Sequence, residues 1–393
     1  MSDPAGGGFF GQLLGDLLQF MGGASGTDRL ELARGLAQGV AAEGRPEANV
    51  DPVERIRLEE LVRVAELHVA ELTGLSPTPG GVAVGVEAVG PGTWARRTVD
   101  DWGFVLDVMT VTPPAPPPAP GGEGAGTEDP GDLLARLMST MGPVFAALQL
   151  GSAVGHLART TLGQYELPVP RAAPGLMLVP ANILRFAEDW SLPADEVRLW
   201  VCLRELTVHA VVGRAHVRER LQELLRDVVR GMAADAGGLM EQLQGLDPSD
   251  PDSLQRVLGD PEALLAGTAS PEREQAAAQL MAVVRVLLGY VEHVLDLSAT
   301  RLLGGRGALA EAWRRRQVDR ESPARTAEAL FGLDLGPAEV ARGVAFVDGV
   351  VARAGEEGLA RLWESARTLP TPAEVDAPGL WLERISFEDP ADG

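Results

Sequence analysis

The run from Trp190 to Val211 reads WSLPADEVRLWVCLRELTVHAV and has the pattern of a buried helix. Ser191 can cap its start, and two acidic residues, Asp195 and Glu196, fall in the early turns, where negative charge interacts favourably with the helix dipole. Apolar residues then follow on most sides until a glycine ends the pattern. The sequence therefore predicts a helix that lies inside the protein.

Most of the remaining chain also has helical spacing of its apolar residues, so the predicted fold class is mainly α. The helix predicted over 272–303 is apolar on nearly every side and should be buried. Strand signals are few, and the best one is the short apolar run 175–180 between prolines. We expect a multi-helix protein with a few short strands.

The composition of the chain suggests a division into parts. The stretch 110–131 is rich in Pro, Gly and acidic residues and predicts a linker or loop. The predicted parts are an apolar helix and Gly-rich arm at 1–26, an N-terminal helical block at 27–109, this linker, a helical domain at 132–386 and a tail at 387–393.

Charge and cysteine content exclude several classes of protein. The 393 residues carry 34 basic residues, all of them Arg, and 56 acidic residues, so the net charge is 34 − 56 = −22. This charge argues against nucleic-acid binding. The single Cys202 excludes an internal disulfide, a Cys-based zinc finger and an iron–sulfur cluster, and only five His are present. With no secretory signal and no transmembrane segment in the sequence, we expect a cytoplasmic protein.

One part of the buried run has the spacing of a metallopeptidase motif. In peptidases with His-Glu-x-x-His on a helix, the two His bind zinc and the Glu is the general base for a zinc-bound water. Residues 204–208 read RELTV, so Glu205 is in place, whereas Arg204 and Val208 stand where the two His would be. Taken alone, one Glu on an apolar helix is a weak signal.

The same run resembles a family of zincin-like metallopeptidases found mainly in actinobacteria, whose members typically read WSLP…LRLWVALHELTHHAV. Other stretches match as well, and the resemblance covers most of the chain outside the Pro/Gly-rich linker. These stretches are DRLELARGLAQGVAAEG, VDPVERIRLEELVRVAELHVAE, GSAVGHLARTTLGQYELPVPR, LGYVEHVLD and AFVDGVVARAGEEGLARLWESARTLPTPAEV. The resemblance implies a zincin-like helical domain, a hydrolase activity and a zinc cofactor.

The family's functional positions transfer residue by residue. The resemblance places the first zinc His on Arg204, the general base on Glu205 and the second zinc His on Val208. The additional His of the family's His-His pair falls on His209, and the third ligand falls on Leu288 of LGYVEHV. Arg offers no lone pair, and Val and Leu have no donor atoms. The sequence thus has a degenerate motif that predicts no bound zinc, no cofactor and an idle Glu205.

The main hypothesis is therefore a pseudoenzyme that binds an unidentified protein or peptide partner. In this hypothesis Arg204 either forms a structural ion pair, with Glu205, Glu292 or Asp296, or binds a carboxylate or phosphate in the old active-site cleft. His209 and His293 are the further candidate ligand-binding residues.

Two alternatives remain open. The protein could be an active hydrolase with a displaced metal site around Glu205 and His209, completed by Glu292 or His293. It could also be a helical scaffold that recruits a partner through the apolar residues 9–21 and the Pro-rich linker.

Overall fold

The computed structural model describes residues 26–75, 84–109, 130–172, 175–244, 270–302, 307–318 and 322–387. Most of the predicted N-terminal arm, nearly all of the Pro/Gly-rich segment and most of the tail lie outside these residues. The predicted division into parts therefore stays a prediction. No described helix is long and apolar enough to cross a membrane.

The predicted fold class is confirmed, because the described residues form fourteen α-helices and two short strands. Two short 3-10 turns, Arg361–Trp363 and Ala366–Thr368, follow the twelfth helix. In chain order the elements are α1 Gly26–Ala41, α2 Pro52–Thr73, β1 Val86–Ala88, α3 Pro91–Trp102, α4 Phe104–Met109, α5 Pro130–Ala158, β2 Leu176–Leu178, α6 Pro180–Asp189, α7 Ala194–Val212, α8 Ala215–Gln244, α9 Pro271–Leu302, α10 Gly307–Val318, α11 Ser322–Ala329, α12 Pro337–Ala360, α13 Pro372–Val375 and α14 Pro378–Phe387.

Helix α7 starts differently from the prediction. Ser191 does not cap it, because Ser191 has a left-handed backbone (φ 52°) in the turn that follows α6. Pro193 is the residue before the first helical turn, and the helix begins at Ala194. The acidic residues Asp195 and Glu196 lie in the first turn as expected. Helix α7 is almost entirely buried from Val197 onward, which confirms that it lies inside the protein.

The two strands pair in parallel, with Val86 opposite Leu176 and Ala88 opposite Leu178. The strand expected within 175–180 is thus confirmed, and its partner β1 was not anticipated. This small sheet joins the N-terminal helices to the rest of the fold. Further on, Leu178 forms an antiparallel bridge with Gly163, so β2 also holds the chain that precedes it.

Helices α9 and α12 cross at two glycines. A Cβ atom on Gly289 would lie 2.1 Å from the carbonyl carbon of Gly343, and one on Gly343 would lie 1.8 Å from the Arg285 carbonyl oxygen. Only glycine at both positions allows the two backbones to approach this closely. Since this crossing fixes α9 against α12, it also fixes the walls of the cleft described below.

One hydrophobic core includes side chains from both sides of the Pro/Gly-rich segment. Ala33 of α1, Val62 of α2 and Val208 of α7 all belong to it, as do Leu287 of α9 and Phe346 of α12. Helix α1 packs mainly on α5 and α3, and α2 packs mainly on α7. The helix that carries Arg204 and Glu205 is therefore covered by α2 on one side and by α9 on another.

Candidate functional site

The connection between α5 and β2 is the unusual part of the site. Residues 161–171 have no helix or ladder of their own, yet every one of them is buried. Buried irregular backbone is costly unless its N–H and C=O groups find partners elsewhere. We call residues 161–171 the buried connection.

Side chains from several elements supply those partners. The Trp94 indole donates to the Gly163 carbonyl at 2.9 Å. Arg171 donates to the Gln164 carbonyl at 3.1 Å, and Arg204 donates to the Tyr165 carbonyl at 3.2 Å. Two buried arginines thus hold two consecutive carbonyl groups of the buried connection.

Arg204 and Glu205 form a buried ion pair. The Arg204 Nη1 atom lies 2.5 Å from Glu205 Oε1, and the Arg204 guanidinium lies over the Trp313 ring at 4.9 Å from its centroid. The other carboxylate oxygen, Glu205 Oε2, accepts the backbone N–H of Tyr165 at 2.7 Å. Both carboxylate oxygens of Glu205, the residue at the family's general-base position, therefore accept hydrogen bonds from the protein itself.

Glu205 is held in a tight space. Its side chain is 1% exposed, and burial raises the pKa of its carboxyl group, an effect that Arg204 and the Tyr165 N–H partly offset. A Cβ atom on Gly163 would lie 2.6 Å from the Glu205 carboxyl carbon. Glycine at 163 is what allows the buried connection to lie directly on this carboxylate.

His209 is bonded to the same tyrosine. The Tyr165 hydroxyl and His209 Nδ1 are 2.9 Å apart, and both side chains are buried. Burial, with the nearby Arg218 cation, lowers the pKa of His209 to about 4, so its imidazole is neutral at physiological pH. Burial also raises the pKa of the Tyr165 hydroxyl, which therefore stays protonated.

A cleft of about 610 Å³ lies beside this pair. Its walls come mainly from α9, α10 and α12, and Arg204 of α7 reaches its surface. Leu288 lines the same cleft, so the structure brings together two positions to which the resemblance assigned zinc ligands. The remaining lining residues include Glu166, Glu292, Asp296, Trp313, Arg314, Leu335, Val340, Val344, Ala345 and Asp348.

The other predicted site residues lie elsewhere. Val208 is packed in the core and is 1% exposed. His209 faces Tyr165, as described above. His293 pairs with Glu356 through Nε2 and Oε1 at 3.0 Å. Among the residues that the structure describes, no group of three His, Cys, Asp or Glu is placed to hold a metal ion.

Sequence reasoning missed the residues that hold the pair. Tyr165 contacts Arg204, Glu205 and His209, but it lies about forty positions before them in the sequence. Trp313 lies over Arg204, and Arg316 of the same helix donates to Glu166 at 3.2 Å. The one available signal was the stretch GQYELPVPR, which carried part of the family resemblance without a recognisable motif.

The residues at the expected ligand positions do not fit zinc. Zinc sites use thiolate, imidazole or carboxylate donors. Arg204 offers only N–H donors, and Val208 and Leu288 offer neither oxygen nor nitrogen in their side chains. Glu205, the remaining candidate donor, has its oxygens on Arg204 and Tyr165. No catalytic step through a metal can be derived from these side chains.

Comparison with known proteins gives two matches. A family model described as zincin-like metallopeptidase matches residues 30–382. A crystal structure from Chloroflexus aurantiacus, described as "a putative hydrolase with a novel fold", is similar with a TM-score of 0.60 and 23% sequence identity. The similarity covers 91% of this chain and 98% of that one, and at this identity it shows a shared fold. No curated protein sequence matches.

The family match corrects one expectation from the sequence. The prediction that the chain has no cofactor is wrong with respect to its family, because zincin-like metallopeptidases normally use zinc. Zinc is therefore the cofactor that the family implies, even though the donor set around Arg204 does not suit it. The actinobacterial origin and the degenerate motif inferred from the resemblance stay predictions.

The matched residues 30–382 span most of the 393-residue chain, from the N-terminal helices to α14. Because the match covers most of its length, the chain belongs to the zincin-like metallopeptidase family.

Proposed function

We propose that this member of the family acts by binding a peptide or protein partner in the cleft and not by hydrolysing it. The observation that carries the proposal is the arrangement of Glu205. A general base must reach its water or substrate within hydrogen-bond distance. Glu205 is 1% exposed, and its two oxygens contact Arg204 and the Tyr165 N–H. It lies behind Arg204, which is the residue that faces the cleft.

The chemistry of the cleft supports a peptide as the ligand class. Apolar side chains such as Val340 and Val344 share its walls with acidic groups, among them Glu292 and Asp348, and with Arg204. Ligand sites commonly combine an apolar lining with a few polar groups that set orientation. A peptide presents apolar side chains, amide groups and charges of both signs, so it can contact each kind of wall. In this proposal Arg204 binds a carboxylate of the ligand.

Hydrolysis assays with zinc supplied test the catalytic half of the proposal. Purified protein is incubated with a diverse set of internally quenched peptides, in parallel with the Glu205→Gln variant. We expect no turnover by either protein. Turnover by the wild type that disappears in Glu205→Gln would establish an active hydrolase with Glu205 as base and would overturn the proposal.

Peptide binding tests the other half. Peptide arrays are probed with the wild type and with Ala345→Trp, which places an indole in the cleft. Ala338→Trp is the matched control, since Ala338 is also an exposed alanine of α12 but does not line the cleft. Binding that is lost in Ala345→Trp and kept in Ala338→Trp supports the proposal. Peptides that bind all three proteins equally, or no binding at all, contradict it.

A further inference from the structure

Helix α2 has an exposed face that carries large apolar side chains. Val53, Ile56, Val64 and Leu67 are 66%, 56%, 50% and 75% exposed. They make up four of the nine large hydrophobic side chains that are exposed among the described residues. Single exposed apolar residues are ordinary, but a contiguous set on one element marks an interaction surface.

The four residues lie on one side of the helix. At about 100° per residue, positions 53, 56, 60, 64 and 67 fall within an arc of about 80°. The opposite side of α2 buries Leu58, Val62, Ala65 and Val69 against α7 and the core. Helix α2 is therefore apolar on two sides, and the residues that the structure describes cover only one of them. We call Val53, Ile56, Val64 and Leu67, with the charged residues between them, the outer face of α2.

The sequence of the outer face is symmetric about Glu60. Apolar residues stand four and seven positions from Glu60 in both directions, and Arg57 and Arg63 stand three positions from it in both directions. All seven of these side chains are exposed. An antiparallel pair of identical helices, related by a two-fold axis at Glu60, would place each residue opposite its symmetric counterpart.

We infer that two copies of this chain associate through the outer face of α2, with the helices antiparallel and the axis at Glu60. Two-fold homodimers are the commonest symmetric assemblies, and their interfaces must be self-complementary. In this register Val53 meets Leu67 of the second copy and Ile56 meets Val64. Each Glu60 lies between Arg57 and Arg63 of the opposite helix, so four arginines surround the central pair of carboxylates.

The charges make a second copy a better occupant than an unrelated apolar segment. An apolar segment would cover the four aliphatic side chains but would offer no charged partner to Glu60 or Arg63. The ion pair that Arg57 makes with Asp195 of α7 lies at the surface, where such pairs contribute little, so Arg57 can shift toward a partner.

Sedimentation velocity over a wide range of protein concentrations is the direct test. The wild type is expected to reach twice the 41.4 kDa mass of the chain. Val64→Glu should raise the dimer dissociation constant by about tenfold or more, because it places a charge in the apolar centre of the interface. Arg55→Glu is the control, since Arg55 is exposed on α2 but points about 140° away from Glu60, the centre of the outer face.

Charge exchange tests the register itself. Glu60→Arg gives an outer face with three arginines, and Arg57→Glu with Arg63→Glu gives one with three glutamates. Each variant alone is expected to be monomeric, and an equal mixture is expected to form the heterodimer. A mixture that stays monomeric, while thermal unfolding shows that both variants are folded, would exclude this pairing.

Disulfide trapping locates the axis. Cys202 is buried, so Glu60→Cys introduces the one readily accessible thiol among the described residues. Oxidation should link two copies through position 60, whereas Arg55→Cys should not be linked at a comparable rate.

Two outcomes would overturn the inference in favour of other occupants. If the wild type is monomeric at every concentration and deleting residues 1–23 makes it dimeric, the chain's own N-terminal segment covers the outer face. If both the wild type and the truncated chain are monomeric, the face serves a different protein or none.

Discussion

Two buried arginines, Arg171 and Arg204, hold the buried connection, and they differ in what lies beyond them. Both are nearly inaccessible, at 6% and 7% exposure, and they donate to the adjacent carbonyls of Gln164 and Tyr165. Arg171 lies between the Trp94 and Trp102 rings, 5.2 Å from each centroid, and pairs with Asp101. Arg204 lies over one indole, pairs with Glu205 and faces the cleft.

The difference separates a purely structural role from one that is also open to a ligand. Arg171 is enclosed by protein. Burial lowers the pKa of its guanidinium group, and the neighbouring Asp101 carboxylate partly offsets this effect. Arg204 has protein on one side and the cleft on the other. Substitutions at 171 should therefore act on stability alone, whereas substitutions at 204 should act on stability and on binding.

Arg171→Met should cause the largest loss of unfolding free energy. It removes the cation from Asp101, which is itself largely buried, and leaves the Gln164 carbonyl without its donor. Removing one partner of a buried pair typically costs about 3–5 kcal/mol of unfolding free energy. Denaturant unfolding measures this loss. A loss no larger than that of an exposed substitution such as Arg55→Met would contradict the structural role.

Arg204→Met should lower the free energy of unfolding by a smaller amount, about 2–3 kcal/mol at neutral pH. The loss is smaller because Glu205 can take up a proton once the Arg204 cation is removed. Burial already raises the pKa of Glu205, and loss of Arg204 raises it further. A carboxyl group with a raised folded-state pKa stabilises the protein below its unfolded pKa, and that stability is lost as the pH rises through the folded pKa.

The difference in unfolding free energy between the wild type and Arg204→Met should therefore become smaller as the pH falls from 7 toward about 5. The double variant Arg204→Met with Glu205→Gln is the control, because glutamine has no proton to gain. Its deficit should not change over this range. Equal pH dependence of the single and double variants would show that Glu205 is not the titrating group.

Helix α7 shows what local pattern can predict. Its apolar residues and acidic first turn were sufficient to place it and to predict that it is buried. Because a buried arginine needs an acidic partner, the sequence also put Glu205 among three candidate partners of Arg204. The predicted N-terminal cap at Ser191 is wrong, because Ser191 has a left-handed backbone in the turn after α6. The capping preference of serine does not reveal this conformation.

The buried connection shows what local pattern cannot predict. Residues 161–171 have no helical apolar period, and irregular connecting stretches normally run over the surface. Their burial depends on donors from α3, α7 and the connection itself, which come together only in the folded chain. The role of Tyr165 was missed for this reason, whereas the shared location of Arg204 and Leu288 could be anticipated only through the family resemblance.

His209 offers a test on the Arg204 side of the comparison. Its folded-state pKa of about 4 lies below its ordinary value of 6.5, so the unfolded chain binds more protons between these values. The stability that neutral His209 contributes is present above about pH 6.5 and is lost as the pH falls toward 4, on the order of 3 kcal/mol in all. His209→Gln should remove this part of the pH dependence, and His293→Gln, a histidine paired with Glu356, should retain it.

The smallest effect should come from lysine substitutions, which keep the charge and remove the planar guanidinium. Arg171 lies over two indoles and Arg204 over one, and each cation–π contact contributes about 1 kcal/mol when partly desolvated. Arg171→Lys should therefore be less stable than Arg204→Lys by about 1 kcal/mol in denaturant unfolding. If the proposed binding holds, the order reverses for peptide affinity, because only Arg204 faces the cleft. If Arg171→Lys is the more impaired variant both in denaturant unfolding and in peptide affinity, the two arginines do not differ in the way proposed.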